Sequence, residues 1–305
     1  MKQSVLALGN FDGLHRGHLA VLQTALQSAA AQTKRPAVLL FDCHPREVLT
    51  GVCPPVLLAE EEKRRRLALL GFAVEIISFA QVRDLSPAAF LDLLEARFSP
   101  VCLCCGNNYR FGAKAAGTVE TLRTLSAQRG IEVQVAPDVM FDGAPVSSTR
   151  IRVLLEAGEI TAANQMLGRP FSYAFPVVDG DKRGRLLGFP TANQRFPQGF
   201  VRLRRGVYAA KVCLRDTWYP AVTNIGVRPT IGTPDLRSET CVLGFDGDLY
   251  GQILEVHLLE YLRPEEDFGA LDALRTQIAA DAEAAKDVFE RTSHETKAEG
   301  QSCLF

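Results

Sequence analysis

The chain reads as an α/β unit with a parallel sheet, followed by a compact antiparallel sheet or barrel and a closing helix. Three observations carry this. Through residue 167, short apolar runs alternate with helix-period segments, the pattern of strands and crossover helices in a sheet covered on both faces. At Gly168-Arg169-Pro170 that rhythm stops, and β-rich runs separated by Gly, Pro and Asp take over. A glycine-rich string, Gly9-Asn10-Phe11-Asp12-Gly13-Leu14-His15-Arg16-Gly17-His18, directly follows the first apolar run, where an open α/β sheet binds its ligand.

In the first unit Val5–Leu8 reads as a strand and His18–Ala31 as a helix. Ala37–Phe41 is the next strand, Glu60–Leu70 the next helix and Glu75–Phe79 the third strand. Pro87–Arg97 reads as a helix with Ser86 as its N-cap. Val101–Cys105 is the fourth strand, Thr118–Arg129 a helix, and Glu132–Ala136 the fifth strand. A helix over Thr149–Leu167 closes the unit. Beyond it, Gly206–Val212, Trp218–Thr223, Glu239–Leu243 and Ile253–Leu259 carry the β pattern. A last helix runs from near Pro264 to Arg291, and the polar residues after it read as a frayed tail. The expected division is therefore 1–169, 170–291 and a flexible tail, 292–305.

Composition narrows the function. The 305 residues are 47 % hydrophobic and 23 % charged, enough for two cores. The formal net charge of −1, from 34 basic and 35 acidic residues, argues against a nucleic-acid partner. It leaves room for small phosphorylated ligands, which need only a local cluster of donors. No run approaches the roughly 20 apolar residues of a membrane span. Val5–Leu8 is too short for a signal-peptide core, and the C-terminal cysteine is misplaced for prenylation. A cytoplasmic protein, monomeric or weakly self-associating and without a membrane partner, is expected. The eight cysteines read as free thiols in a chain of this length. Cys102, Cys104 and Cys105 fall in a buried strand, and no second ligand pair accompanies them to make a metal site.

Two motifs carry chemistry. In the first, Gly9, Gly13 and Gly17 let main-chain N–H groups approach a phosphate where a strand turns into a helix. His15 and His18 are spaced to share one face of the first helical turn and can donate to charge that develops in an in-line displacement. Phe11 lies within the same string. Further on, Val146-Ser147-Ser148-Thr149-Arg150-Ile151-Arg152 offers capping hydroxyls at Ser148 and Thr149 and a guanidinium at Arg152 able to grip phosphate. Residue types alone allow equally a capped helix with solvated arginines. The second motif spans Asp179–Asn193, with Gly184, Gly188 and the compact Pro190-Thr191-Ala192-Asn193. The Thr191 hydroxyl and Asn193 amide oxygen can hold a hydrated Mg²⁺ that bridges nucleotide phosphates; a glycine-rich hairpin followed by a turn is the other reading. By residue type alone Glu239, in Ser238-Glu239-Thr240, can be a solvated strand residue.

These strings resemble known signatures. The first, with its H-x-G-H core and the later S-S-T element, is similar to the nucleotidyltransferase signature. Gly188-Phe189-Pro190-Thr191-Ala192-Asn193 is similar to the riboflavin kinase signature. Gly206-Val207-Tyr208-Ala209, Thr223-Asn224-Ile225-Gly226-Val227-Arg228-Pro229-Thr230 and Asp246-Gly247-Asp248-Leu249-Tyr250-Gly251 follow in that family's order. From Lys2 to Arg291 the chain resembles the bacterial bifunctional riboflavin kinase/FAD synthetases. The resemblance implies a Rossmann-like nucleotidyltransferase domain that adenylylates FMN. It implies too a six-stranded antiparallel barrel that phosphorylates riboflavin, with ATP as co-substrate and Mg²⁺ at both sites. It implies that Glu239 is the kinase base, that His44 contacts ATP phosphates, and that Asn108 and Arg228 lie on the flavin side. Three departures stand out: Cys43 for proline in Phe41-Asp42-Cys43-His44-Pro45, Tyr109 for phenylalanine in Gly106-Asn107-Asn108-Tyr109-Arg110-Phe111-Gly112, and Cys241 for histidine after Thr240. The alternatives are an adenylyltransferase with a silent kinase half and a non-catalytic flavin or nucleotide sensor.

Overall fold

The computed structural model describes residues 3–180, 189–228 and 235–298. They form two compact units, 1–148 and 149–305. The first is built on five parallel strands, β1 (Ser4–Leu8), β2 (Arg35–Phe41), β3 (Ala73–Ile77), β4 (Pro100–Gly106) and β5 (Glu132–Ala136), in the order β3-β2-β1-β4-β5. The order reverses at β1, so the ligand crevice of such a sheet falls at the carboxyl ends of β1 and β4. Each face of β1 feeds its own core. Val5 and Ala7 pack with Val21, Leu22 and Ala25 of α1 (Arg16–Gln32), while Leu6 and Leu8 meet Leu91 and Leu94 of α5 (Pro87–Phe98). Burial on both faces explains why β1 is a continuous apolar run rather than an alternating one.

The helices begin where side chains satisfy their free N–H groups. Ser86 Oγ accepts from Ala89 N at 3.2 Å and Pro87 opens the first turn of α5, as the sequence indicates. Thr118 does the same for α6 (Val119–Ala127). α3 (Glu60–Leu69) ends one residue before its expected limit. Short elements outside the sequence reading include α2 (Pro45–Thr50), α4 (Phe79–Val82), and the hairpin of β6 (Met140–Phe141) and β7 (Ala144–Pro145). The single helix expected over 149–167 is two, α7 (Ser148–Ala157) and α8 (Ile160–Leu167). Between them Gly158 takes φ +82°, a conformation that ends a helix.

The second unit is a closed barrel, in the cyclic order β10-β11-β12-β9-β8-β13. Its strands are β8 (Phe171–Val178), β9 (Ala192–Arg195), β10 (Gly206–Leu214), β11 (Thr217–Arg228), β12 (Asp235–Val242) and β13 (Ile253–Arg263), all neighbours antiparallel. Alternate residues fill the lumen: Tyr208, Ala210, Thr223, Ile225, Gln194 and Thr240 are buried there. The polar ones satisfy each other. Thr223 and Thr240 hydroxyls lie 2.7 Å apart, and Gln194 Nε2 donates to the carbonyls of Phe175 and Leu254. Asn164 ties α8 to the barrel, donating to Leu258 O and accepting from Phe171 N. The closing helix, α9 (Leu271–Ala298), covers Ala209 and Leu259 with Ala285 and Val288. It starts later than Pro264 and continues past Arg291 to Ala298; the stripe that packs on the barrel ends at Phe289, before the polar last turns.

Candidate active sites

At the end of β1 the chain turns tightly into α1. Phe11 (φ +52°), Gly13 (+81°) and Leu14 (+45°) occupy the left-handed region. Only glycine does so without strain, so a buried non-glycine pair there is held by its surroundings. Asp12 supplies part of that hold: its Oδ1 accepts from Leu57 N at 3.0 Å, and its carbonyl accepts from Ser148 Oγ at 2.9 Å. Gly13 faces Leu57 so closely that a Cβ would stand 2.8 Å from its Cδ1.

The turn delivers both histidines to one place. His15 is the N-cap of α1, its Nδ1 accepting from His18 N at 3.3 Å, which leaves Nε2 to carry the proton. The two rings stack with centroids 3.6 Å apart and 15° between planes, and Phe11 meets His18 edge-on. His18 Nδ1 is shielded and makes no hydrogen bond. Desolvation pushes the His18 pKa well below the ordinary imidazole value, with smaller contributions from His15 and Lys63. His18 is therefore neutral at pH 7. Gly17 lies against the His15 ring, where a Cβ would come within 3.2 Å, and Gly9 lies equally close to the Phe11 ring.

Other expected residues of this unit line the same sheet edge. His44 follows β2 and caps α2, its Nδ1 accepting from Arg46 N. Asn108 sits in the turn after β4. Tyr109 stacks on Phe111, and burial raises its hydroxyl pKa, so the phenolic group stays protonated. Cys43 is half-buried, its thiol pushed up by burial and by Asp42, whose carboxylate is held low by accepting from Phe79 N at 2.9 Å. Ser148, the last residue of this unit, opens α7; Thr149 and Arg152, on its first turns, belong to the second unit. One cation was missed by sequence reasoning. Lys63 of α3 reaches the Asn10 carbonyl at 3.4 Å and Glu60 at 2.7 Å, with its stem largely buried. It lies in a run of charges that reads as a solvated helix face.

In the barrel, Thr191 and Asn193 come together at the start of β9. Asn193 Nδ2 donates to the Thr191 carbonyl (3.3 Å) and to its Oγ1 (3.4 Å), while Asn193 Oδ1 is buried and accepts nothing. Gly180 makes the space: a Cβ there would stand 2.4 Å from Asn193 Nδ2. Ala192 and Asn193 belong to β9 and not to a turn, which corrects that part of the alternative reading; the glycine-rich hairpin expected before them falls largely outside the described residues. A cleft of about 390 Å³ opens over them, lined also by Pro190, Thr240, Phe245 and Asp246. Glu239 pairs in register with Asn193 on one side and Asn224 on the other, so all three occupy the outward face of neighbouring strands. Cys241 shares that face; burial holds its thiol at about 11. Arg228 ends β11 opposite Asp235. Gly184 and Gly188 lie outside the described residues.

The residues fit a hydrated Mg²⁺: an orphaned amide oxygen and a hydroxyl are hard donors of the kind that ion takes alongside its own waters. Among the described residues, no three His, Cys, Asp or Glu side chains cluster as a metal site, and no helix is long and apolar enough to cross a membrane.

Comparison with known proteins agrees with this geometry. A family model for FAD synthetase matches residues 1–150, and one for riboflavin kinase matches residues 167–289. The chain is 37 % identical over 294 residues to the bifunctional riboflavin kinase/FMN adenylyltransferase of Pseudomonas fluorescens, covering 95 % of this chain and 94 % of that one. It is 35 % identical to the protein of the same description from Escherichia coli K12 (93 % and 92 % covered) and 32 % identical to that of Bacillus subtilis (94 % and 93 %). A crystal structure described as a macrolide-efflux protein from Streptococcus pneumoniae superposes with a TM-score of 0.86 at 29 % identity, covering 93 % of this chain and 94 % of that one. With a nucleotidyltransferase turn on a parallel sheet and a flavokinase barrel in one polypeptide, the chain belongs to the bifunctional riboflavin kinase/FMN adenylyltransferases, which phosphorylate riboflavin to FMN and adenylylate FMN to FAD.

Proposed function

We propose the residue roles through which the two reactions run. In the barrel, Thr191 and Asn193 hold Mg²⁺ and the ATP phosphates in the cleft, and Glu239 takes the proton of the ribityl 5′-hydroxyl as that oxygen attacks the γ-phosphorus. Bound Mg²⁺ would neutralise phosphate charge and orient the leaving ADP. The observation that carries this reading is the register pair Asn193–Glu239, which sets the expected base beside an unmet amide oxygen at the cleft. Gly184, Gly188 and Arg228 keep their expected roles toward phosphate and flavin as part of the proposal.

In the first unit an FMN phosphate oxygen attacks the α-phosphorus of ATP and pyrophosphate leaves. His15, through Nε2–H, and neutral His18 donate to the oxygens on which charge builds. Main-chain N–H groups of the Gly9–Gly17 turn and the N-terminus of α1 receive the phosphates. His44, Ser148 and Asn108 contribute from the same unit, His44 and Ser148 toward ATP and Asn108 toward the flavin. No nucleophilic side chain is required, because the substrate phosphate is itself the nucleophile.

The functional division is proposed at 1–169 and 170–291, with the enzyme cytoplasmic and monomeric or weakly associating; sedimentation velocity tests the last point. The main test is a time course with riboflavin, ATP and Mg²⁺, resolved by chromatography. FMN that rises and then gives way to FAD supports both sites. FAD formed only when FMN is supplied would leave the kinase roles without support.

A further inference from the structure

Glu239 is flanked on both sides by carboxamides. Its ladder partner on β9 is Asn193 and on β11 is Asn224, and register partners project from the same face of a sheet. Both amides have an idle, shielded Oδ1 and an engaged Nδ2. That of Asn193 donates to Thr191, and that of Asn224 donates to Glu265 Oε1 at 3.1 Å. The engaged nitrogens fix which end each amide leaves available. Glu265 fits there because the next residue on that face of β11 is Gly226, where a Cβ would stand 2.4 Å from Glu265 Oε1. The cleft is lined by Thr191 and Asn193 beside β9 and by Thr240 and Val242 of β12, and by no residue of β11, Asn224 included; Glu239 itself borders it without lining it, through its register partner Asn193.

We propose that Asn224, oriented by Glu265, receives the ribityl chain of riboflavin, its Oδ1 accepting a hydrogen bond from a ribityl hydroxyl next to the one that Glu239 deprotonates. The inference rests on Glu239 as the base. Given that, the phosphate donor occupies the β9 side, and in-line transfer puts the attacking alcohol on the opposite side of the reacting phosphorus. The β11 side is what remains. A shielded acceptor without a donor is unfavourable, and a polyol supplies donors in series. Because Glu265 holds the NH₂ group, the amide can offer only oxygen. The site therefore selects for a hydroxyl, and sites built to bond a substrate hydroxyl discriminate strongly against analogues that lack it.

The test uses the full-length enzyme and two flavins: riboflavin as substrate, and lumiflavin, which has no ribityl chain, as a competitive inhibitor of riboflavin phosphorylation. Asn224→Ala should raise KM for riboflavin by about tenfold or more, leave the lumiflavin inhibition constant unchanged, and leave FMN adenylylation intact. Asn224→Ser, which keeps a hydroxyl acceptor, should recover part of the loss, and Glu265→Gln should fall between. An unchanged riboflavin KM in Asn224→Ala would overturn the inference. So would a lumiflavin constant that rises in step with KM, which would mean a ring contact or a collapsed site. Glu239→Ala is the reference. Should it phosphorylate riboflavin normally, the base assignment fails; should it be inactive while Asn224→Ala has a normal KM, only the ribityl assignment fails.

Discussion

His15 and His18 lie face to face, ring centroids 3.6 Å apart, with His15 capping the helix that carries His18. Fold and the proposed chemistry thus share a side chain at this point. His18→Ala, which spares the cap, should lower FMN adenylylation by roughly 10²–10³-fold, the usual loss for an oxyanion donor. Riboflavin phosphorylation, assayed with riboflavin alone, should be unaffected. Loss of both activities in a folded variant would break the two-site assignment.

The same pair gives a pH dependence. The folded-state pKa of His18 is depressed, chiefly by desolvation. As pH falls below the unfolded-state value of about 6.5, the unfolded chain takes up the proton first. Stability is therefore complete above that value and declines from there down through the folded pKa. Urea titrations of wild type and His18→Ala at pH 7.5 and 5.5 should show a smaller acid loss in the variant. Equal losses would assign the slope to other groups.

Gly180→Ala should disable the kinase without unfolding the barrel. The added Cβ would meet Asn193 Nδ2 at 2.4 Å, and displacement of a positioning group by about 1 Å can cost about 10²-fold. Kinase kcat/KM for ATP should fall, with FMN adenylylation as the internal control. A wild-type kinase rate would show that Asn193 does not need its observed position.

Glu239→Ala should reduce FMN formation by about 10²–10⁴-fold, the range of general-base contributions. Conversion of supplied FMN to FAD should continue at the wild-type rate. Residual phosphorylation that is undiminished would remove Glu239 from the mechanism.

The thiols should react in a fixed order. Cys213 is exposed, whereas burial raises Cys105 and Cys241 to about 11. Alkylation at pH 8, mapped by mass spectrometry, should label Cys213 early and Cys105 and Cys241 late, since the thiolate is the reactive form. Early loss of kinase activity that tracks Cys241 labelling would contradict its buried placement.

Much of this was legible in the residues. β5 begins and ends where its alternation does, and Ser86 caps α5 as its spacing indicates. β8 and β9 were not. β8 contains Pro176, which argues against a strand, and β9 is four residues long with polar Asn193 and Gln194. Gln194 belongs in the barrel only because carbonyls of β8 and β13 meet its amide there, a tertiary fact with no local signature. Motif residues close in sequence come together as their spacing indicates, His15 on His18 and Asn193 on Thr191. Asn224 with Glu265 and Lys63 with Asn10 were not legible, since each pair is made by chain segments far apart.

The barrel closes by pairing its first strand with its last, Phe171–Pro176 against Ile253–Leu258. The parallel sheet, in contrast, has its last strand in place by Ala136. During synthesis the adenylylating unit can fold while the kinase half still lacks β13, which leaves β8 and β10 with unpaired edges. Slow, non-local closure leaves such edges exposed to aggregation. Ribosome stalling or truncation before about residue 258 should therefore yield a chain that makes FAD from FMN but carries an aggregation-prone C-terminal half, and pulse-labelled chains should acquire protease resistance in that order.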